Sequence, residues 1–403
     1  MIRQAPGGRR RIAVASVGVA AAAALATGAT PGPAAAHERP SAVTLDVQTY
    51  NLDLGADLTP LFGATSIETL QSAAAHVYGD VTASRPVERM SAIAKIIAKQ
   101  RPDVVGLQEV AQWQLAPYTT VAGLPVPGRY RTTYDFLKLL LRDLAWRGVP
   151  YDAVSTNVTF DSATAVPIAI PISTTTVARF VDRNVVLVNR ATRPHARTSN
   201  ARAADYTAKF SVSLLGRTVD VGRGWASVDI TQRGRTFRFF DTHLEAYGLP
   251  PLKDQIRNPQ AAELAALAKA SRYPTIVVGD LNARPTMCAT WRQPPDPVDA
   301  NTVAYGTLQA AGMTEVWPLV HPSAPCDPAS WTSGQDSLTG PTSTLTHRID
   351  DVFLSPGLSA QQASVVGDTA ADRTHPDGLW PSDHASTVAK VRLDAAFRGE
   401  PLP

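Results

Sequence analysis

Polar side chains that could do chemistry recur beside short apolar segments of the chain. The set comprises Asn51, Asp53, Glu109, His243, Asp280, Asn282, Asp350, Asp383 and His384. It consists of carboxylates, carboxamides and imidazoles without a thiol, and such oxygen-rich sets suit a hard cation such as Mg²⁺ or Mn²⁺. The sequence offers no competing nucleophile elbow or glycine-rich phosphate loop. The residue types therefore favour metal-assisted chemistry over a covalent nucleophile.

These residues lie at or beside the ends of predicted strands. The predicted strands are Val43–Tyr50, Asp103–Gln108, Val185–Asn189, Trp225–Ile230, Arg235–Thr242, Thr275–Gly279, Ile349–Leu354 and Ser386–Val391. The predicted helices are Pro86–Lys99, Thr133–Trp146 and Pro259–Ala270, with Asn258 as N-cap of the last. Strands alternating with helices, together with one hairpin, predict an α/β fold of two packed mixed sheets with helices outside. No linker divides the chain, so we expect one domain over residues 42–396.

The N-terminus has the pattern of an export signal. Arg9 to Arg11 precede an apolar stretch from Ile12 to about Ala26, and a small-residue site ends at Ala36. We expect residues 1–36 to be a signal peptide and the mature protein to be secreted, with an N-terminal membrane anchor as the alternative. Beyond this stretch, no apolar run is long enough to span a bilayer.

Without the predicted leader, the mature chain has a nearly balanced charge and two cysteines. The leader holds four of the 38 basic residues and no acidic one, so 34 basic and 35 acidic residues remain. This balance gives no electrostatic sign of nucleic-acid binding, although a local basic groove stays compatible with it. The two cysteines, Cys288 and Cys326, permit a disulfide in an exported chain, and two free surface thiols are the alternative.

Six ordered motifs indicate a known family. They are Thr49-Tyr50-Asn51, Gly106-Leu107-Gln108-Glu109-Val110, Asp241-Thr242-His243-Leu244, Gly279-Asp280-Leu281-Asn282-Ala283, Arg348-Ile349-Asp350 and Ser382-Asp383-His384. In this order they resemble the endonuclease/exonuclease/phosphatase superfamily, and Arg257-x-x-Gln260 is a further match. The resemblance implies a DNase I-like, four-layer α/β/β/α sandwich with its active site at one end of the two sheets. Together with the leader it suggests a secreted bacterial member.

The resemblance also implies roles in phosphodiester hydrolysis. The implied metal ligands are Asn51, Asp53, Glu109 and Asp383, and the implied catalytic residues are His243, Asp280, Asn282, Asp350 and His384. His384, oriented by Asp350, would form an acid/base pair, and the base is either His384 or Asp280. We expect it to be His384, assisted by Asp280. Arg183 resembles a phosphate-contacting position of the family, and a surface arginine entering a strand is an equal alternative.

The motifs do not select the substrate, because substrate preference depends on loops around the shared centre. The order of motifs favours nucleic acid, so we expect an extracellular nuclease first. A phospholipase C or sphingomyelinase-like enzyme comes second, favoured by the near-neutral charge and by the apolar segment Asn157–Ala178. That segment would form either a lipid-contacting loop or a packed strand pair, and the packed form is favoured. We expect a monomer without a stable membrane span.

Overall fold

The computed structural model describes residues 42–166, 168–192, 196–248, 252–288, 302–335 and 337–393. The predicted signal peptide, residues 1–36, lies outside these ranges, as does the end of the predicted domain beyond residue 393. The strands in the first half are β1 (Val43–Asn51), β2 (Val104–Gln108), β3 (Gln112–Val121), β4 (Leu124–Pro127), β5 (Arg131–Asp135), β6 (Tyr151–Asp161), β7 (Ile170–Pro171), β8 (Thr176–Asn189) and β9 (Ala196–Asp205). The later strands are β10 (Phe210–Leu214), β11 (Arg217–Val221), β12 (Gly224–Gln232), β13 (Arg235–His243), β14 (Thr275–Asp280), β15 (Thr314–Glu315), β16 (Asp350–Leu354), β17 (Leu358–Val366) and β18 (Ser386–Leu393).

Helices occupy the connections between these strands. They are α1 (Thr59–Phe62), α2 (Ile67–Ala83), α3 (Pro86–Gln100), α4 (Phe136–Trp146), α5 (Ser162–Ala165), α6 (Leu252–Lys269), α7 (Val303–Ala310) and α8 (Val316–Val320). Short 3₁₀ turns cover Thr286–Cys288, Pro328–Ser330 and Ala370–Asp372. Within the described ranges, no helix is both long and apolar enough to cross a membrane.

Two large sheets carry the fold. In the described part of the chain, the larger sheet has ten strands, with the order β17-β18-β1-β2-β8-β3-β4 and with β5 on β3 and β6 and β7 on β8. The smaller sheet has six strands in the order β15-β16-β14-β13-β12-β9, and β10 and β11 form a separate hairpin. Both large sheets mix parallel and antiparallel pairs, because β1–β2 and β13–β14 are parallel while their other neighbours are antiparallel.

The core is built in layers, as strands with two apolar faces require. Between the sheets, Val47 and Val186 of the larger sheet belong to one buried cluster with Val228, Phe239 and Val278 of the smaller sheet. A second cluster lies between the larger sheet and helices α3 and α4. A third packs helices α6 and α7 against the outer face of the smaller sheet. The predicted α/β/β/α sandwich is confirmed.

Several local expectations need correction or refinement. Helix α4 begins at Phe136 and not at Thr133, because residues 133–135 belong to β5, and the strand predicted from Val185 begins at Thr176 as β8. Helix α6 begins at Leu252, so Asn258 is not an N-cap and Pro259 lies inside the helix. The missing proline N–H costs one helical hydrogen bond, but the added first turns bury Lys253, Ile256 and Arg257. The segment Asn157–Ala178 is not one open loop. It contains the end of β6, then α5 and β7, and the start of β8, which matches the packed alternative.

A disulfide joins Cys288 and Cys326, so of the two alternatives for the thiols the bridge is present. It links the turn after β14 to the segment that precedes β16, across 38 residues of chain. Both strands carry candidate site residues at their ends, so the bridge joins two segments that are next to these strands in the chain.

Candidate active site

Three candidate catalytic residues lie side by side on neighbouring strands of the smaller sheet. His243, the last residue of β13, is the register partner of Asp280, the last residue of β14. Asp280 in turn is the partner of Asp350, the first residue of β16. The strands approach closely at Gly279, where an added Cβ would lie 2.0 Å from the Thr242 carbonyl oxygen. Residues opposite each other share a face of the sheet, so the register places the three side chains together.

The larger sheet brings further candidates to the same edge. Asn51 ends β1 and Glu109 directly follows β2, and these two strands are parallel. Asp383 and His384 lie just before β18, which is antiparallel to β1 and therefore begins at the edge where β1 ends. Asn51 Nδ2 donates a hydrogen bond of 3.1 Å to Asp280 Oδ2 and thereby joins the two sheets.

Several site residues follow their strands in a left-handed backbone conformation. The φ angles are 55° at Asp53, 52° at Glu109 and 48° at Asn282. Residues other than glycine seldom adopt this region, and each such position costs of order 1 kcal/mol or more. The turn redirects the side chain at the point where the strand stops. At Asn282 and Asp53, an aspartate or asparagine two residues earlier accepts the backbone N–H and stabilises the turn.

His384 and Asp350 form a buried pair. His384 Nδ1 and Asp350 Oδ2 are 2.8 Å apart, and Asp350 is fully buried. Burial alone would lower the pKa of His384, but the carboxylates of Asp350, Asp383 and Asp280 outweigh it and raise the pKa well above its usual value. The raised pKa favours a proton on Nδ1 that is shared with Asp350, and His384 Nε2 lies 3.9 Å from Asp280 Oδ2.

Asp280 lies at the centre of the group. Its Oδ1 accepts from the backbone N–H of Asn282 at 2.8 Å, and its Oδ2 is 3.5 Å from His243 Nε2 and 3.9 Å from His384 Nε2. Burial, together with the nearby Asp350, raises the pKa of Asp280 to about 6. Asp280, Asp350 and His384 each offer a ligand atom within 4.8 Å of the others. Asp350 Oδ1 is buried without a hydrogen-bond partner in the described chain.

An acidic cleft opens beside this group. Its acidic lining residues are Asp53, Asp57, Asp80, Glu109 and Asp383. Burial and the neighbouring carboxylate of Asp383 raise the pKa of Glu109 to about 8, and burial and Asp53 raise the pKa of Asp383 to about 6. Glu109 is held in place by the backbone N–H of Leu54, at 2.8 Å from its Oε2.

The charge of the cleft fits a bound cation. Asp53 is partly neutralised, since its Oδ2 is 2.9 Å from Nη1 of the buried Arg89. Burial is the largest cause of the raised pKa values of Glu109 and Asp383, and repulsion from Asp53 adds to both. A divalent cation between them would remove this repulsion, and oxygen ligands are those that Mg²⁺ and Mn²⁺ prefer.

Comparison with known proteins identifies the family. A sequence model described as "Endonuclease/Exonuclease/phosphatase family" matches residues 49–384, which covers most of the chain and all of the candidate site. The chain belongs to this family. Its members are phosphoesterases, so the general reaction class follows from membership.

Two solved structures are similar to this chain. The endonuclease/exonuclease/phosphatase protein from Bacteroides vulgatus superposes with a TM-score of 0.50 at 13% identity, covering 87% of this chain and 100% of that one. The family protein from Beutenbergia cavernae gives a TM-score of 0.49 at 20% identity, covering 87% of this chain and 72% of that one. A comparison with curated protein sequences finds no match.

The geometry adds Arg223 to the site of this family member. Arg223 is buried, and its Nη1 lies 3.0 Å from His243 Nδ1. Because arginine can only donate, His243 Nδ1 accepts this bond, and His243 Nε2 lies 3.5 Å from Asp280 Oδ2 and 3.2 Å from Asn282 Nδ2. Burial and Arg223 lower the pKa of His243 well below its usual value. Arg223 precedes β12 outside every motif, so sequence reasoning had no signal for it.

Arg257 and Gln260, the two residues of the further family match, hold the turns that carry site residues. Arg257 Nε donates to the Glu245 carbonyl oxygen at 2.7 Å, and its Nη1 donates to the carbonyl oxygen of Asn282. Gln260 Oε1 accepts from the backbone N–H of Glu245 at 2.9 Å. Helix α6 thus connects the turn after His243 to the turn that contains Asn282. The Asn282 side chain donates to the Leu244 carbonyl oxygen at 3.0 Å, which fixes the same two turns to each other.

Arg183 is engaged within the protein. Its Nε donates to the Val110 carbonyl oxygen at 2.8 Å, and its Nη2 lies 2.8 Å from Asp135, the N-cap of α4. The structure therefore brings nine of the ten predicted residues to one edge of the sheets and ties the tenth to the start of a helix. Arg183 lies within β8 with a side chain only 12% exposed, so it is not the surface arginine of the alternative, and its contact with phosphate stays a prediction.

Proposed function

We propose that this family member is an exported, metal-dependent phosphodiester hydrolase. One observation carries the proposal: the buried group of Asp280, Asp350 and His384 lies beside an acidic cleft, and both stand at the edge where the two sheets end. A phosphodiester needs its negative charge neutralised, a water activated and a leaving oxygen protonated. This arrangement supplies a group for each of these needs.

Glu109 and Asp383 are the residues that would hold the cation. Asp53 adds negative charge, and Asn51 keeps Asp280 aligned with the cleft through its amide. When bound, Mg²⁺ or Mn²⁺ would neutralise the phosphate and polarise its P–O bonds. The raised pKa of Glu109 supports this assignment, because an uncompensated carboxylate pair is costly without a cation.

The protonation states suggest how the proton moves. Asp280, with a pKa of about 6, is ionised above that pH and would accept a proton from the attacking water. His384 holds a proton and would deliver it from Nε2 to the leaving oxygen, while Asp350 keeps the ring in place. This proposal takes the alternative base, Asp280, and gives His384 the role of acid in place of the expected role of base. His243 would donate from Nε2 to a phosphate oxygen.

Two substrate classes compete for this centre. The ordered motifs favour nucleic acid, whereas a specific feature of the structure, an apolar cavity next to the acidic cleft, favours a lipid phosphodiester. The test is a panel of plasmid DNA, RNA, sphingomyelin and phosphatidylcholine, assayed with Mg²⁺ and then with chelator. We expect at least one class to be cleaved only with the metal, and His384→Ala to abolish that cleavage. Cleavage of none of the four would refute the proposal.

Export rests on the leader and on the disulfide. Disulfides persist mainly in oxidising compartments, and the bridge between Cys288 and Cys326 is consistent with a secreted life. We propose that the chain is cleaved after Ala36. N-terminal sequencing of protein recovered from culture medium should start at His37, and retention of the whole chain in the cell membrane would favour the anchor instead.

A further inference from the structure

An apolar cavity of about 70 Å³ adjoins the acidic cleft. Leu54 and Tyr247 line both the cavity and the cleft, so these two side chains form the wall between them. Leu54 also binds Glu109 through its backbone N–H. The cavity therefore starts one residue away from the proposed cation ligand.

Elements outside the main layers enclose this cavity. The hairpin β10–β11 supplies Val212, Leu214 and Val219, and it belongs to neither large sheet. In β11 the side chains alternate, with Val219 buried between the exposed Thr218 and Asp220. Other walls come from α2 and from the apolar segment Asn157–Ala178. Of that segment, the apolar residues Phe160, Val166, Ile170, Ile172 and Ala178 line the cavity.

An aromatic cluster lies at the boundary with the reaction centre. The Tyr247 ring stacks on Phe210 with centroids 5.9 Å apart and meets the edge of Phe62 at 5.5 Å. The Arg223 guanidinium lies 5.4 Å from the centroid of Tyr247 and also contacts His243. A continuous path of side-chain contacts therefore runs from His243 to the cavity.

The side chains that line the cavity offer an occupant few hydrogen-bond or charge partners. Its charged members are Asp182 and Arg223, which lie 4.0 Å apart, and Arg223 also contacts Glu245 at 3.5 Å. The charges of Asp182 and Arg223 are thus compensated by each other and by Glu245, not by an occupant of the cavity. Apolar cavities of this kind stay dry, because water inside them would find too few hydrogen-bond partners.

The size of the cavity selects the shape of the occupant. A cavity of about 150 Å³ accommodates benzene, so one of about half that volume is too small for an aromatic ring or a nucleobase. The end of a single alkyl chain is narrower and fits the lining of aliphatic and aromatic carbon. A lipid chain attached to a phosphate at the reaction centre would reach the cavity past Tyr247.

We propose that this cavity is a subsite for the end of an alkyl or acyl chain of an amphiphilic phosphodiester. The inference rests on the proposed hydrolase function and names its substrate class. A nucleic-acid substrate would leave the cavity without a role in binding. The subsite can be tested without turnover, because alkylphosphonates carry a P–C bond that the enzyme cannot hydrolyse.

The experiment is calorimetric binding of methyl- to octylphosphonate to the full chain with Mg²⁺. Each buried methylene should tighten binding by about fourfold until the cavity is full. Val219→Phe, which fills the cavity, should remove the dependence on chain length while leaving methylphosphonate affinity unchanged. Thr218→Phe places the same ring on the exposed face of the same strand and should keep the dependence. Val212→Trp, at the register partner of Val219, provides a second filling variant if the first does not fold.

The outcomes separate the subsite from the hydrolase function. Affinity independent of chain length, or an equal dependence in both filling variants and wild type, overturns the subsite. If soluble diesters are hydrolysed in that case, the hydrolase proposal stands and nucleic acid becomes the favoured substrate. If the chain-length dependence is found but no diester is hydrolysed, the subsite stands and the hydrolase proposal fails.

Discussion

Replacing Asp350 by asparagine tests the proton-donor pair of the site. The bond between Asp350 Oδ2 and His384 Nδ1 is 2.8 Å long, with the Asp350 side chain fully buried and the His384 side chain 10% exposed. Hydrogen bonds to a charged group contribute about 1.5–3 kcal/mol and neutral ones about 0.5–1.5 kcal/mol, so the variant should lose about 1–2 kcal/mol of this interaction. The pKa of His384 should fall, since Asp350 is the largest influence that raises it against burial.

The consequence for catalysis has a definite sign. A group that acts as an acid must be protonated, so activity falls as pH rises through the pKa of His384. In Asp350→Asn the alkaline limb should therefore move to lower pH. The rate at the optimum should drop by about 10²- to 10⁴-fold, the usual contribution of general acid–base catalysis. The assay is kcat/KM for bis(p-nitrophenyl) phosphate from pH 5 to 10 at saturating Mg²⁺.

The neighbouring aspartate provides a matched control. Asp351 is also buried, but it pairs with Arg348 at 3.2 Å and not with the histidine. Asp351→Asn weakens a buried ion pair, so it should lower stability, by at most about 3–5 kcal/mol, with kcat within tenfold of wild type. Asp350→Asn retaining more than a tenth of wild-type kcat/KM, or an unmoved alkaline limb, would refute the assignment of His384. An equal loss of kcat in Asp351→Asn would show that the effect is only structural.

Other consequences can be measured independently. Because the pKa of Glu109 is raised to about 8 without metal, calorimetric Mg²⁺ affinity should rise about tenfold per pH unit up to that pH and then level off, and a flat profile would contradict this. Because the pKa of Glu109 is higher in the folded than in the unfolded protein, ionising Glu109 destabilises the fold. The Tm of chelated protein should therefore fall as pH rises from about 5 to 8, and Mg²⁺ should suppress that fall. Changing Cys288 and Cys326 to serine should cost about 4 kcal/mol in denaturant unfolding, and no loss would show that the bridge does not restrain the unfolded chain. Arg183→Ala should lower Tm without changing KM, whereas Arg223→Ala should lower kcat at least tenfold. The reverse pattern would make Arg183 the substrate contact.

Much of the fold was predictable because its strands are short, apolar and bounded by polar turns. The first strand, the hairpin of β12 and β13, and β14, β16 and β18 agree with the predicted segments within a residue or two. Helix α6 was placed too late, because Pro259 and Asn258 have the local pattern of a helix start. The buried contacts of Arg257 and Gln260 with the Glu245 turn are tertiary, and a local rule gives them no weight.

The site was predictable where strand ends and ordered motifs coincide. His243, Asp280 and Asp350 lie side by side because of the register of β13, β14 and β16. Their positions at or beside the ends of the predicted strands already indicated that they share one edge of the sheet. Arg223 was missed because its contacts with His243 and Glu245 are tertiary and no motif contains it. The hairpin β10–β11 was missed although its two strands alternate apolar and polar residues and are neighbours in the chain, so its local pattern could have revealed it.

Hydrolysis of bis(p-nitrophenyl) phosphate during chelation and metal add-back tests the central claim most directly. Wild-type activity should vanish with chelator and return with Mg²⁺. Glu109→Gln, which removes one charge from the acidic cleft without changing its shape, should stay inactive at the same Mg²⁺ concentration while melting as a folded protein. Full activity in chelator, or wild-type activity in Glu109→Gln, would contradict a metal-assisted phosphodiesterase at this edge of the sheets.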